Sequence, residues 1–337
     1  MTSIPKTMTA AGIDRPGGTL YTREVPVPSP GRGEVLVRIS AAPVNPSDLA
    51  RLKRGGFDPE TYIPGLEGSG TVIAAGSGLL PAILKGKRVA CTAEYPASGT
   101  WAEYMVTKAG KCFPLNKTID DEQGSMMMVN PLTAIGFLDI VKENKHKALI
   151  NNAAASALGR MVELMGNRQG VPVINIVRSE KHAETLRNSG SKYVLNSSSD
   201  SFIDDLGRLS HELNATVLFD STCSEQLGKM IGVLPDSSSV VIYGNLTGEE
   251  HIHVNPRKLI DNNINISGFF LGQRAKENGL LKNLINLRIA SRLVSSNMKT
   301  AIQGRYPLQK VQEAVDAYMG NMSAGKVVLR INSLEIV

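Results

Sequence analysis

The residues whose chemistry stands out first lie between Lys147 and Lys181. A strand-forming run, Ala148-Leu149-Ile150, leads into Ala153-Ala154-Ala155-Ser156-Ala157-Leu158-Gly159, and a helical stretch follows from Arg160 to Met165. Very small side chains at a strand-to-helix turn let the backbone approach a pyrophosphate, whose charge the helix N-terminus favours. Of the usual glycine fingerprint only Gly159 is present, so a plain Ala-rich helix start explains this segment nearly as well. The next strand, Val171 to Val177, should end beside an adenosine ribose, about 20 residues past the turn. NAD sites place Asp or Glu there to bond the ribose 2′-OH, whereas this chain continues Arg178-Ser179-Glu180-Lys181. A guanidinium at that point suits a 2′-phosphate through charge-assisted, often bidentate bonds. The stretch therefore points to NADPH rather than NADH, with Arg178 and Lys181 as its phosphate partners. Glu180 keeps open the alternative of a merely solvated strand end.

The elements that must position these residues follow from the texture of the chain. The first ~117 residues are rich in Gly and Pro, with short β-branched runs (Val35 to Ile39, Gly70 to Ala75, Arg88 to Cys91) between turn signals. From about Asp120, strand-like runs alternate with amphipathic stretches of helix length, the pattern of a doubly wound parallel sheet. Ile264 to Leu271 reads as its last strand. The tail has helical stretches at Leu280 to Ala290 and Val311 to Met319 and closes on a strand, Val327 to Ile331. It is too short for a domain of its own and should fold back onto the N-terminal segment. The expected fold is α/β: a β-rich domain over 1–117, completed by 272–337, and a Rossmann domain over 118–271.

Composition narrows the classes of function. The 337 residues are 42% hydrophobic and 20% charged, an ordinary globular balance. No apolar run reaches 18 residues, and no signal-peptide core precedes Thr9, so no membrane partner is expected. Net charge is +6, but the basic residues are scattered and aromatics make up only 5%. A mildly basic enzyme surface accounts for this better than nucleic-acid binding. Cys91, Cys112 and Cys223 form neither a metal spacing nor a disulfide framework, which fits a reducing compartment. The expected address is cytoplasmic, with a mitochondrial one left open.

Taken together and in order, several fragments resemble the medium-chain dehydrogenase/reductase superfamily over nearly the whole chain. Asn45-Pro46-Ser47-Asp48 looks like the loop carrying the first catalytic zinc ligand of alcohol dehydrogenases. Pro64-Gly65-Leu66-Glu67-Gly68-Ser69-Gly70 looks like their P-G-H-E-G-x-G signature, and Gly99 to Tyr104 like G-x-x-A-E-Y. Asn130-Pro131-Leu132-Thr133-Ala134 is similar to the segment beneath the nicotinamide. Val217 to Ser221, Val241 to Gly244 and Gly325 to Leu329 are similar to later strands of the family. The resemblance implies a GroES-like catalytic domain beside the Rossmann domain. It implies nucleotide contacts from Asn130, the Ala155 to Gly159 turn, Tyr243, Gly244, Phe270 and Lys326. It also implies a homodimer, formed by edge pairing through Ile264 to Leu271.

The departures bear on mechanism. A catalytic zinc needs three Cys, His or carboxylate ligands, and the matching positions hold Asn45, Leu66 and Val129-Asn130. The four-cysteine structural lobe is missing too, and His251-x-His253 lies far from the cysteines. No metal is expected, and the resemblance narrows to zinc-free quinone oxidoreductases and 2-enoyl thioester reductases. It implies hydride transfer from NADPH to a small molecule, a quinone or an α,β-unsaturated carbonyl, with Thr133 facing the nicotinamide. Asn45 would donate a hydrogen bond to the carbonyl oxygen, or else only cap the Pro46 loop. Tyr62 is a candidate proton donor, or a packed loop tyrosine. Thioester reductases carry a tyrosine in a G-x-Y context after N-P-S-D, where this chain has Gly55-Gly56-Phe57. A third reading, an NADPH-binding protein without turnover, rests on the degenerate glycine turn. Arg51 to Tyr62 and Glu94 to Gly99 are the expected substrate walls.

Overall fold

A computed structural model describes residues 4–94, 98–296 and 298–332. The middle of the expected substrate wall at Glu94 to Gly99, residues 95–97, lies outside the described residues. The chain divides into two compact units, Met1–Val129 with Leu287–Val337, and Asn130–Asn286.

The first unit is built on a mixed sheet. Its strands run in the order Ile302–Pro307, Lys326–Arg330, Glu34–Pro43, Glu67–Ala75, Arg88–Thr92 and Cys112–Pro114, and Tyr104–Lys108 also pairs with Glu34–Pro43. A separate hairpin joins Thr7–Ile13 to Leu20–Pro26. The tail thus enters the N-terminal sheet: Val328 pairs with Pro43 and Leu329 with Ala42. The reason is burial, since four successive residues, Lys326 to Leu329, are sealed in the interior, and such a strand is stable only between neighbours.

The division falls at 129/130 and 286/287, later on both sides than the change of texture in the sequence. On the N-terminal side, the short helix Asp121–Ser125 packs on the strands Glu34–Pro43 and Glu67–Ala75. Ser69 donates to the Asp121 carbonyl, and Arg88 pairs with the Asp121 carboxylate. Glu122 is shared between Arg305 and Arg330. On the C-terminal side, Lys282 bonds Asp139 and Glu143, and Arg274 bonds Glu143, which keeps this stretch with the second unit.

The second unit is a six-stranded, all-parallel sheet. Numbering its strands β1 (Ala148–Asn152), β2 (Val173–Val177), β3 (Tyr193–Asn196), β4 (Ala215–Asp220), β5 (Ser239–Ile242) and β6 (Asn265–Gly268), the order is 3-2-1-4-5-6. Every residue of β1 and β2 is buried, as a strand covered on both faces requires. The order reverses between β1 and β4, and doubly wound sheets bind ligands at the carboxyl ends of such strands. The strand expected over Ile264 to Leu271 is shorter: β6 stops at Gly268, and Leu271 already opens the helix Leu271–Ser296. That helix absorbs the expected Leu280 to Ala290 stretch and breaks at Gly279, whose φ of 71° interrupts the helical path.

Candidate functional site

In the first unit the helix Pro46–Arg54 starts at Asn45, and Pro46 at its first position costs no hydrogen bond there. Asp48 folds back so that its carboxylate accepts the N–H of Asn45 at 2.9 Å and that of Leu66 at 2.9 Å. This clamps the start of the helix to the strand that begins at Glu67. The Asn45 side chain is thereby delivered to the interior. Its Nδ2 donates to Glu67 Oε1 at 3.1 Å, and its Oδ1 accepts from Lys326 Nζ. Glu67 Oε2 takes the backbone N–H groups of Met128 and Val129 at 3.0 and 2.9 Å. Lys326 Nζ also reaches the Val44 carbonyl and lies 5.3 Å from the Tyr318 ring centroid.

Asn45, Asp48, Glu67 and Lys326 are each at most 2% exposed. Burial, which disfavours charge, raises the carboxyl groups of Asp48 and Glu67 to about 7 against the pull of their N–H donors and of Lys326. Burial likewise lowers Lys326 to about 8, while Glu67 and Asp48 hold it up. Two carboxylates and one ammonium sharing a dry interior make a polar centre that the fold has satisfied at every oxygen.

Beside it, Tyr62 is 6% exposed and stacks on Phe57, with centroids 4.0 Å apart and planes at 17°. Arg51 hydrogen-bonds the phenol and lies 5.8 Å from the ring centroid. Burial pushes the Tyr62 hydroxyl up to about 12, Asp48 adds to this, and Arg51 opposes it. The hydroxyl therefore keeps its proton at neutral pH.

In the second unit, the β1-to-helix turn is tight. Ala153 takes φ 58°, and a Cβ on Gly159 would meet the backbone of Ala154 at 2.6 Å. Gly159 is thus required for close packing of the helix Ala157–Arg168 onto the turn. Ser156 is its N-cap and accepts the Gly159 N–H at 3.0 Å, so its hydroxyl hydrogen stays available. Beneath the turn, buried Asn151 donates to the Gly159 carbonyl at 3.0 Å and to Asn175 Oδ1 at 2.9 Å. Asn152 donates to Asp220 and Thr222, while its Oδ1 accepts the Ala153 N–H at 2.8 Å. These three asparagines support the turn, and the sequence reading missed them. Their side-chain partners Asn175 and Asp220 lie on neighbouring strands, so local spacing holds no trace of that pairing.

At the end of β2, Arg178 and Lys181 are exposed. Glu180 is occupied: Arg187 bonds one carboxylate oxygen at 2.5 Å and Asn196 the other at 3.2 Å. His182 has its pKa lowered first by burial and then by the positive charges of Arg160, Lys181 and Arg178, so these three cations share one neighbourhood. Tyr243 donates to the Asn152 carbonyl at 3.4 Å, and its ring packs 4.8 Å from Phe137. Gly244 follows Tyr243 beside Ser221, where an added Cβ would come to 3.2 Å. Asn130 and Thr133 are buried in the first turns of the helix Asn130–Glu143, and Phe270 is 75% exposed.

Asn45, Tyr62 and Lys326 therefore lie in the first unit, and the remaining expected site residues in the second. Lys326, expected as a nucleotide contact, is a buried partner of Asn45.

Comparisons with known proteins agree with this two-part construction. Residues 31–117 match the family model for the alcohol dehydrogenase GroES-like domain, and residues 157–286 that for zinc-binding dehydrogenases. A solved structure from Mesorhizobium loti, described as an NADPH:quinone reductase, superposes with a TM-score of 0.87 at 29% identity, covering 98% of this chain and all of that one. The chain belongs to the medium-chain dehydrogenase/reductase superfamily. Within it, the chain falls in the quinone oxidoreductase-like branch. Among the superfamily's curated members, the human synaptic vesicle membrane protein VAT-1 homolog is 26% identical over 92% of this chain and 82% of its own length. The mitochondrial enoyl-[acyl-carrier-protein] reductase of Arabidopsis thaliana is 28% identical over 71% of this chain and 64% of its own length.

The superfamily's catalytic zinc does not fit the residues present. Asn45 offers an amide, Leu66 an alkyl group, and the Asn45 oxygen already faces the Lys326 ammonium. A divalent ion there would meet a resident cation and too few anionic donors. Among the described residues no group of three or more His, Cys, Asp or Glu could hold a metal, and His251 and His253 join none. Among them, too, no helix is long and apolar enough to cross a membrane.

Proposed function

We propose that the protein is a zinc-independent, NADPH-dependent oxidoreductase that reduces a quinone or an α,β-unsaturated carbonyl compound. The observation that carries the cofactor choice is the fate of Glu180. With its carboxylate held by Arg187 and Asn196, it does not compete for a ribose hydroxyl, and Arg178 and Lys181 are exposed cations. Such a strand end prefers a 2′-phosphate. The Ala155 to Gly159 turn and the Ser156 hydroxyl hold the pyrophosphate at the helix N-terminus. Asn130, Tyr243, Gly244 and Phe270 complete the nucleotide's surroundings, and Thr133 faces the nicotinamide. When bound, NADPH supplies the hydride. The chain's own task is to receive the negative charge that develops on the acceptor oxygen. Asn45 donates an N–H to that oxygen, and Tyr62, holding its proton at neutral pH, is the proton source.

A second reading, reduction of 2-enoyl thioesters, is favoured by one observation. The Tyr62 ring lies face to face with Phe57, so a phenol stands beside the position where thioester reductases carry their tyrosine. Both readings are tested by following oxidation of NADPH and NADH with a simple quinone, an enone and a 2-enoyl thioester. NADPH-selective turnover of the first two supports the proposal, and preference for the thioester supports the second reading. NADPH binding with silence toward all three would replace both with a non-catalytic role.

A further inference from the structure

The Asn45 amide is held at both ends by groups of opposite hydrogen-bonding character. Lys326 can only donate, so the atom facing it must be Oδ1, and Nδ2 is then the atom that faces Glu67 Oε1. Rotating the amide by half a turn would set –NH2 against an ammonium and C=O against a carboxylate, in an interior where all three residues are at most 2% exposed. Buried mismatches of that kind are costly. The holders are themselves held. Glu67 Oε2 is fixed by the Met128 and Val129 N–H groups, and Lys326 Nζ by the Val44 carbonyl at 3.3 Å. The Nδ2 group donates to Glu67, and the Asn45 side chain also hydrogen-bonds the Asp48 carboxylate.

We propose that Lys326 and Glu67 are positioning residues that lock the Asn45 amide in one orientation, its oxygen toward the ammonium and its –NH2 toward the carboxyl groups. The ammonium of Lys326 occupies the place of a cation among these groups, fixing the donor rather than touching the substrate. This rests on the reading that Asn45 faces the reacting carbonyl, but the lock itself can be tested apart from turnover.

The kinetic test is a double-mutant cycle with Lys326→Met, which keeps the length and apolar stem of the side chain, and Asn45→Ala. Loss of an oxyanion donor should lower kcat about 100-fold for Asn45→Ala. Lys326→Met should lower kcat about tenfold in the native background, with the KM for NADPH unchanged, and less than about twofold in the Asn45→Ala background. Equal losses in both backgrounds would make Lys326 merely structural and overturn the proposal. The second test uses the unaltered protein and needs no substrate. The side-chain amide of Asn45, identified by its absence in Asn45→Ala, should show one Nδ2 proton shifted downfield and protected from solvent exchange. Exchange of both protons at the rate of an exposed amide would also overturn the lock, whether or not the protein reduces quinones.

Discussion

Replacing Arg178 with alanine should separate the two nicotinamide cofactors. A charge-assisted bond to a phosphate contributes about 1–3 kcal/mol. Arg178 is exposed, where screening takes the value to the lower end, so a loss of about 1–1.5 kcal/mol is expected. That is roughly a five- to tenfold rise in the Kd for NADPH. NADH, lacking the 2′-phosphate, should change less than about twofold. The ratio of the two affinities, measured by calorimetric titration at low and moderate salt, isolates the phosphate contribution. It should shrink as salt rises. His182 offers an independent reporter. Its pKa is lowered by burial and by Arg160, Lys181 and Arg178. Removing one of those cations should therefore raise it, and NADPH binding should raise it in the native protein by bringing in negative charge. NADH, which brings the pyrophosphate but no 2′-phosphate, should raise it less. Equal losses of NADPH and NADH affinity in Arg178→Ala, or a His182 titration indifferent to NADPH, would refute the phosphate assignment.

The other predictions are more local. Gly159→Ala puts a Cβ at 2.6 Å from the Ala154 backbone, so stability should fall by about 1–3 kcal/mol and NADPH binding with it; a denaturant melt and a binding titration check both. Phe57→Tyr adds a second hydroxyl beside Tyr62 and should raise enoyl-thioester turnover relative to quinone turnover; an unchanged ratio would argue against the thioester reading of the site. Glu67 has its folded pKa raised to about 7 from 4.5. In that window the native state binds more protons than the unfolded one, so stability declines as pH rises from about 4.5 to about 7. Glu67→Gln should flatten that decline in melts recorded across the window, and an unchanged slope would mean that Glu67 is not its source.

The parts of this protein that were legible in sequence are those whose signal is local. The alternation of strand and helix past Asp120, the small-residue turn before Gly159 and the basic end of β2 each sit within one short window, where period and side-chain size are enough. The ends of elements were less legible. β6 stops at Gly268 and a helix takes over at Leu271, although the apolar run continues through both and cannot by itself distinguish them. Asp121–Ser125 looks like the start of the second unit by texture, but its bonds to Ser69 and Arg88 tie it to the first.

The polar centre around Asn45 was beyond local reading for a different reason. Asn45, Glu67 and Lys326 are separated by 22 and 259 residues, and the closing strand brings the last of them in through its pairing with Glu34–Pro43. Read by itself, Lys326 is a cation at a strand start, and a phosphate is its obvious partner. A fully buried ammonium cannot serve that purpose without paying its desolvation again. It is held where it is because Asn45 needs an oxygen-side donor and the two nearby carboxylates need a positive charge. The amide and the leucine at positions 45 and 66 and the buried Lys326 thus belong to one arrangement: the positive charge beside the Asp48 and Glu67 carboxyl groups comes from a group the protein carries covalently.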